Sequence, residues 1–119
     1  ITIKLIIKGQ FPTQNEIIKA SKAHPMAYAN MKKDYTALVM IYAENIPKIT
    51  KKADFTFTWY RKNRRSDPDN IAGGIKFILD GLVKAGKLEN DGWKQINSIV
   101  HKFEVDKENP RVEIEIKER

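Results

Sequence analysis

The stretch Arg61-Lys62-Asn63-Arg64-Arg65-Ser66-Asp67-Pro68-Asp69-Asn70 decides how this chain reads, together with the amphipathic run that follows it to Ala85-Gly86 and the sequel Glu89-Asn90-Asp91. Four cations within five residues precede two aspartates separated by a proline, so carboxylates lie where a phosphodiester would be drawn. In an extended segment residues i and i+2 point the same way, and Asp67 and Asp69 can then face one hard cation. Pro68 fixes its own φ and pushes Asp67 toward extended backbone angles, which partly preorganises the first ligand.

After the D-P-D-N sequence the periodicity predicts a helix. Ile71, Ile75, Ile78, Leu79, Leu82 and Val83 recur at helical spacing, Asp69 or Asn70 can cap the N-terminus, and Gly86 stands where a C′ glycine belongs. Lys76, Asp80 and Lys84 form a polar stripe at four-residue intervals, a spacing that allows Asp80 to pair with either lysine. Gly73-Gly74 interrupts the run at a cost of about 1 kcal/mol each relative to alanine, which implies a close approach by another backbone or a ligand.

Upstream, Ile1–Lys8 alternates as a strand ending at Gly9, and Thr13 or Asn15 can cap a short helix to about Ala23. His24-Pro25 breaks the chain before a longer helix, Met26–Ala43, whose Tyr28, Met31, Tyr35, Leu38, Val39 and Tyr42 line one side, with Lys22, Lys32 and Lys33 facing out. Lys48, Lys51 and Lys52 make a basic loop around Pro47, and Phe55, Phe57 and Trp59 alternate with Thr56, Thr58 and Tyr60 in a strand that runs into the acid-and-base cluster. Downstream, Ile96–Val105 and Val112–Ile116 read as strands joined at Asp106–Pro110 into an antiparallel hairpin. The sum is one α/β domain of order β-α-α-β-α-β-β, with a mixed four-stranded sheet and its helices mainly on one face.

Composition narrows the function. A net charge of +7 favours a polyanionic partner, and its clustering at Arg61-Lys62 and Arg64-Arg65 favours nucleic acid. No apolar run approaches membrane-spanning length and cysteine is absent; the first apolar strand is interrupted by Lys4 and Lys8 with no small-residue cleavage site after it, so a cytoplasmic location is expected. His24 and His101 have no second histidine or cysteine at zinc-ligand spacing. Trp93, beside the last acid, is read either as buried against the site loop or as a wedge into unstacked DNA or a dimer partner.

Asp67-x-Asp69-Asn70, Lys76 four residues before Asp80, the Leu82–Gly86 helix end and Asn90-Asp91 resemble the RusA-type crossover (Holliday) junction endodeoxyribonucleases, and Phe11-Pro12-Thr13-Gln14-Asn15 is similar to that family's P-x-x-N turn. The resemblance implies a small homodimer that cuts four-way DNA junctions using Mg²⁺, or Mn²⁺, held by Asp67, Asp69 and Asp91, with Lys76 as the catalytic lysine and Glu89 as a further acid nearby. The clustered charge predicts phosphate contacts from Arg61, Lys62, Arg64 and Arg65 and from Lys51 and Lys52. In one member of the family the lysine follows the second aspartate by four residues; here it follows Asp69 by seven, as though three residues were inserted around Ala72-Gly73-Gly74. Two rival readings stand beside it: a noncatalytic nucleic-acid-binding protein whose acids only cap a helix, and a D-x-D sugar-nucleotide enzyme, disfavoured because no phosphate-binding glycine loop is present.

Overall fold

Ala53, Phe55, Phe57 and Trp59 are all at most 2% exposed, and β2 (Ala53–Arg61) takes the interior of the sheet. The computed structural model describes residues 1–119. Around β2 the chain runs β1 (Thr2–Lys8), α1 (Gln14–Ala23), α2 (Pro25–Ala43), β2, α3 (Pro68–Ala72), α4 (Ile75–Lys84), β3 (Ile96–Val105) and β4 (Arg111–Glu118). The sheet order is β1-β4-β2-β3, with β2 and β3 parallel and the other pairs antiparallel. This is the expected mixed four-stranded sheet in the expected order, the motif helix being split in two.

The split falls at Gly73-Gly74, and packing explains it. A Cβ on Gly74 would lie 2.9 Å from Phe11 Cβ and 3.2 Å from the Trp59 ring; one on Gly73 would lie 2.8 Å from Gln14 Oε1 and 3.0 Å from the Gln14 backbone nitrogen. The close neighbour anticipated for these glycines is therefore the Phe11–Gln14 turn. That turn leads into α1, capped by Thr13 through a reciprocal capping box with Glu16. Gly86, at φ 73°, is the C′ residue anticipated after α4, with its N–H donating to the Val83 carbonyl at 3.0 Å.

The expected β3–β4 hairpin does not form. The two strands are antiparallel, but β2 lies between them and pairs with both; the Asp106–Pro110 turn arches over the end of β2, where Asp106 N–H donates to Arg61 O at 2.8 Å. The reason is burial: β2 carries two phenylalanines and a tryptophan on one face, each worth about 1.5–3 kcal/mol when buried, and only an interior strand covers them from both sides. β3 is left at the edge, joined to β2 by a crossover through α3 and α4, with Ile99, Val100 and Val105 exposed. The Asp80 pairing also differs from expectation. Its partner is Lys32 on α2, 3.7 Å away, in place of Lys76 or Lys84, because α4 crosses α2 closely at Gly81 and turns Asp80 toward that helix. No helix is long and apolar enough to cross a membrane.

Candidate active site

Arg61, the last residue of β2, is half-buried, and its Nη1 donates to the Phe11 carbonyl at 3.1 Å. Burial pushes its pKa below the ordinary arginine value, with the Glu16 carboxylate opposing that shift. The guanidinium therefore ties the turn after β1 to the end of β2 as well as lining the site. The loop beyond is set by Lys62 N–H donating to Gln10 Oε1 at 2.8 Å and Arg65 N–H to Asn63 Oδ1 at 3.1 Å. These bonds use backbone groups and leave the side chains of Lys62, Arg64 and Arg65 exposed.

The helix begins two or three residues earlier than anticipated. Pro68 takes N1, a position that suits its missing N–H, so Asp67 and not Asp69 or Asn70 is the N-cap residue. Asp67 has extended angles, φ −73° and ψ 153°, yet its carboxylate makes no capping hydrogen bond. Asp69 lies in the first turn of α3, where Oδ1 accepts only the N–H of Asn70 at 3.0 Å. The two acids thus share one helix start instead of one face of an extended segment. Asp67 opens into a cleft of about 290 Å³ with Arg61, Arg64, Ser66, Phe103 and Glu104. Lys76, exposed in the first turn of α4, has no ion-pair partner.

Asp91 stands elsewhere. It lies in the loop between α4 and β3, pinned by buried Leu88 and by Ile49 N–H donating to Lys87 O at 2.8 Å, and lines a second cleft with Leu79, Trp93, Ile96 and Ile99. The β2–α3–α4–β3 crossover separates this loop from Asp67: Asp67 follows the end of β2, and Asp91 precedes the start of the parallel strand β3. Within one chain no three acidic or histidine side chains gather closely enough to hold a metal ion, so the convergence of Asp67, Asp69 and Asp91 is not made in a single copy. Lys51 and Lys52 lie at the Asp91 end, lining a third cleft with Lys48, Glu89 and Lys94.

One property unites these scattered groups. The four ion pairs of the protein are Lys32–Asp80, Arg111–Asp106, Arg111–Glu113 and Arg119–Asp54. None involves Arg61, Lys62, Arg64, Arg65, Lys51, Lys52, Asp67, Asp69, Lys76 or Asp91, although acids and bases are interleaved. The free carboxylates at the start of α3 are hard oxygen donors of the kind Mg²⁺ takes, since that ion is held by one or two protein carboxylates and completes its shell with water and phosphate. Sequence reading missed the role of Arg61 as a tie, the place of Lys94 in the lysine cleft, and the acceptor His101 Nδ1 for the Trp59 indole at 2.9 Å. Only Lys94 carried a signal, its position beside Trp93 in a basic chain.

No curated protein matches the chain in sequence. A sequence profile described as endodeoxyribonuclease RusA matches residues 9–117, nearly the whole length and both ends of the crossover that carries the acids. The chain belongs to the RusA family of endodeoxyribonucleases.

Proposed function

We propose that this protein hydrolyses phosphodiesters of four-way DNA junctions in recombination and repair, as a Mg²⁺-dependent homodimer. The observation that carries the reading is unpaired Asp67 in one cleft with Arg61 and Arg64, with unpaired Asp69 two residues on in the first turn of α3, in a chain of this family. Asp67 and Asp69 would hold the metal together with the partner's Asp91, because the exposed β3 edge offers a second copy an antiparallel partner whose Asp91 end falls beside this chain's Asp67 end. Mn²⁺ suits the same oxygen donors. A bound divalent ion supplies Lewis acidity toward a phosphate oxygen and lowers the pKa of water.

The remaining chemistry belongs to the side chains. Arg64 and Arg65, exposed and unpaired, neutralise phosphates on either side of the scissile one, with Lys62 beside them. Lys76 brings a mobile ammonium to the charge that develops on the phosphoryl oxygens. Arg61, held to Phe11, keeps the cleft wall in place while offering its remaining N–H groups. Lys51 and Lys52 extend the basic surface at the other end of β2.

The test compares cleavage of a four-way junction and a linear duplex of equal length across a Mg²⁺ titration, with Asp69→Asn as control. Mg²⁺-dependent, paired cuts in the junction are expected. Asp69→Asn should bind junction DNA at least as tightly as the parent, having lost a charge that repels phosphate. It should cleave more than about 100-fold more slowly, since losing a ligand costs more than losing an outer-shell partner. Metal-independent binding with no cleavage by the parent would select the noncatalytic reading.

A further inference from the structure

Trp59 and Trp93 stand at opposite extremes: Trp59 is 2% exposed and Trp93 92%. A tryptophan commonly buries 150–250 Å² of largely apolar surface, so a ring left almost wholly in water has its partner outside the fold. The backbone that carries it is ordered. Gln95 N–H and Ile96 N–H both donate to the Gly92 carbonyl, at 3.1 and 3.0 Å, closing a turn around Trp93 and Lys94. The turn is locked to the sheet by Ala53 N–H donating to Gln95 O at 2.9 Å. Next to it, Lys48, Lys51, Lys52 and Lys94 line a cleft of about 180 Å³ in which Glu89 is the one acid, and none of these lysines has an ion pair.

We propose that Trp93 and this lysine cleft form a second DNA-binding site that takes an unstacked base and its flanking phosphates: the indole stacks on the base, and the lysines hold the backbone. An aromatic face bordered by unpaired cations is the combination that grips single-stranded segments, because every base has a π-face and every linkage a charge. Duplex DNA keeps its base faces covered, whereas the crossover of a four-way junction interrupts stacking and opens a face to the ring. Lys48, Lys51, Lys52 and Lys94 outnumber Glu89 and the Asp91 that shares the cleft of Trp93, which favours a polyanion as the ligand. This site rests on the nuclease reading and deepens it, placing the recognition of the branch on the loop that carries Asp91, which in the proposed dimer falls beside the partner's free carboxylates of α3.

Because Trp59 is buried, quenchable indole emission reports Trp93. With metal chelated, titration with a four-way junction should quench that emission and shield it from acrylamide, and a linear duplex of equal length should do so far less. Trp93→Ala should bind the junction about 5- to 150-fold more weakly, the range expected for one lost base stack, and bind duplex within about twofold of the parent. Trp93→Phe should restore most of the junction affinity, while thermal unfolding of both variants stays at the parent value because the ring packs on nothing. Indole emission already shielded from acrylamide in the DNA-free protein would assign Trp93 to a contact between copies and overturn the proposal. Unchanged junction affinity in Trp93→Ala, with Mg²⁺-dependent cleavage intact, would overturn the stacking site alone. Failure of the parent protein to bind DNA at all would overturn the nuclease reading with it.

Discussion

His101 sits on the edge strand with its ring stacked against Phe57, Trp59 and Phe103, and its Nδ1 accepts the Trp59 indole N–H at 2.9 Å. Burial lowers its pKa from the usual histidine value, so the unfolded chain takes up a proton at a higher pH than the folded protein does. The bond to Trp59 reinforces the direction, since a protonated Nδ1 cannot accept. The contribution to stability is therefore complete above the unfolded histidine pKa of about 6.5 and lost as pH falls below it. Asp54, Asp106 and Glu118 titrate lower; hydrogen bonds from Ser98, from Arg111 and from the Thr50 backbone respectively depress their pKa values, so their contributions disappear only in more acidic solution. The denaturation midpoint should fall between about pH 7 and pH 5, and His101→Gln, which keeps an acceptor without the titration, should flatten that interval. An equally steep profile in the variant would show that His101 is not the titrating group. Nothing local in the sequence reveals this pair, because Trp59 and His101 meet only through the β2–β3 register.

At the scale of elements, Gly81 is where α4 crosses α2: a Cβ there would lie 2.5 Å from Val39 Cβ and 3.2 Å from the Thr36 carbonyl oxygen. Both are fixed parts of the neighbouring helix, so Gly81→Ala should cost about 1–3 kcal/mol by overpacking despite the better helix propensity of alanine, readable as a lower urea midpoint. A midpoint at or above the parent's would mean that α2 yields at this crossing. The elements themselves were largely legible, because each is written in short-range terms: the alternation of Phe55, Phe57 and Trp59, the Thr13–Glu16 capping box, the C′ Gly86. What was not legible is which element lies beside which. The strand pair Ile96–Val105 and Arg111–Glu118 reads as a hairpin locally, and only competition for the centre of the sheet inserts β2 between them. The site divides the same way. Asp67-Pro68-Asp69 is local and readable, while the position of Asp91 depends on the full crossover, and the partner of Asp80 on a helix crossing set by Gly81.

At the scale of the whole molecule, the crossover that separates Asp91 from Asp67 and Asp69 turns subunit assembly into a question about catalysis. Among the surfaces a second copy could use, α2 packs most of its apolar side against the core, through Thr36, Val39 and Ala43 with Tyr35 and Tyr42 around them, whereas the β3 edge is a ten-residue strand with Ile99, Val100 and Val105 exposed. A two-fold axis at that edge runs the strands antiparallel and exchanges their ends. In the proposed dimer each composite site would draw Asp67 and Asp69 from one copy and take the partner's Asp91. Subunit mixing distinguishes this from sites built within single chains. Asp69→Asn and Asp91→Asn homodimers should both be inactive, yet a mixed dimer of the two keeps one composite site wholly native, whereas sites within single chains would all stay broken. Re-equilibrating the two variants at equal concentration should therefore recover about a quarter of the parent's sites, half of the dimers being mixed and each holding one good site of two. The recovered activity should appear as single nicks in the junction, because the opposite site in each mixed dimer lacks both acids and cannot make the paired cut. No recovery from mixtures shown to contain mixed dimers, by co-purification through an affinity tag carried on one variant alone, would mean that Asp91 does not act across the interface.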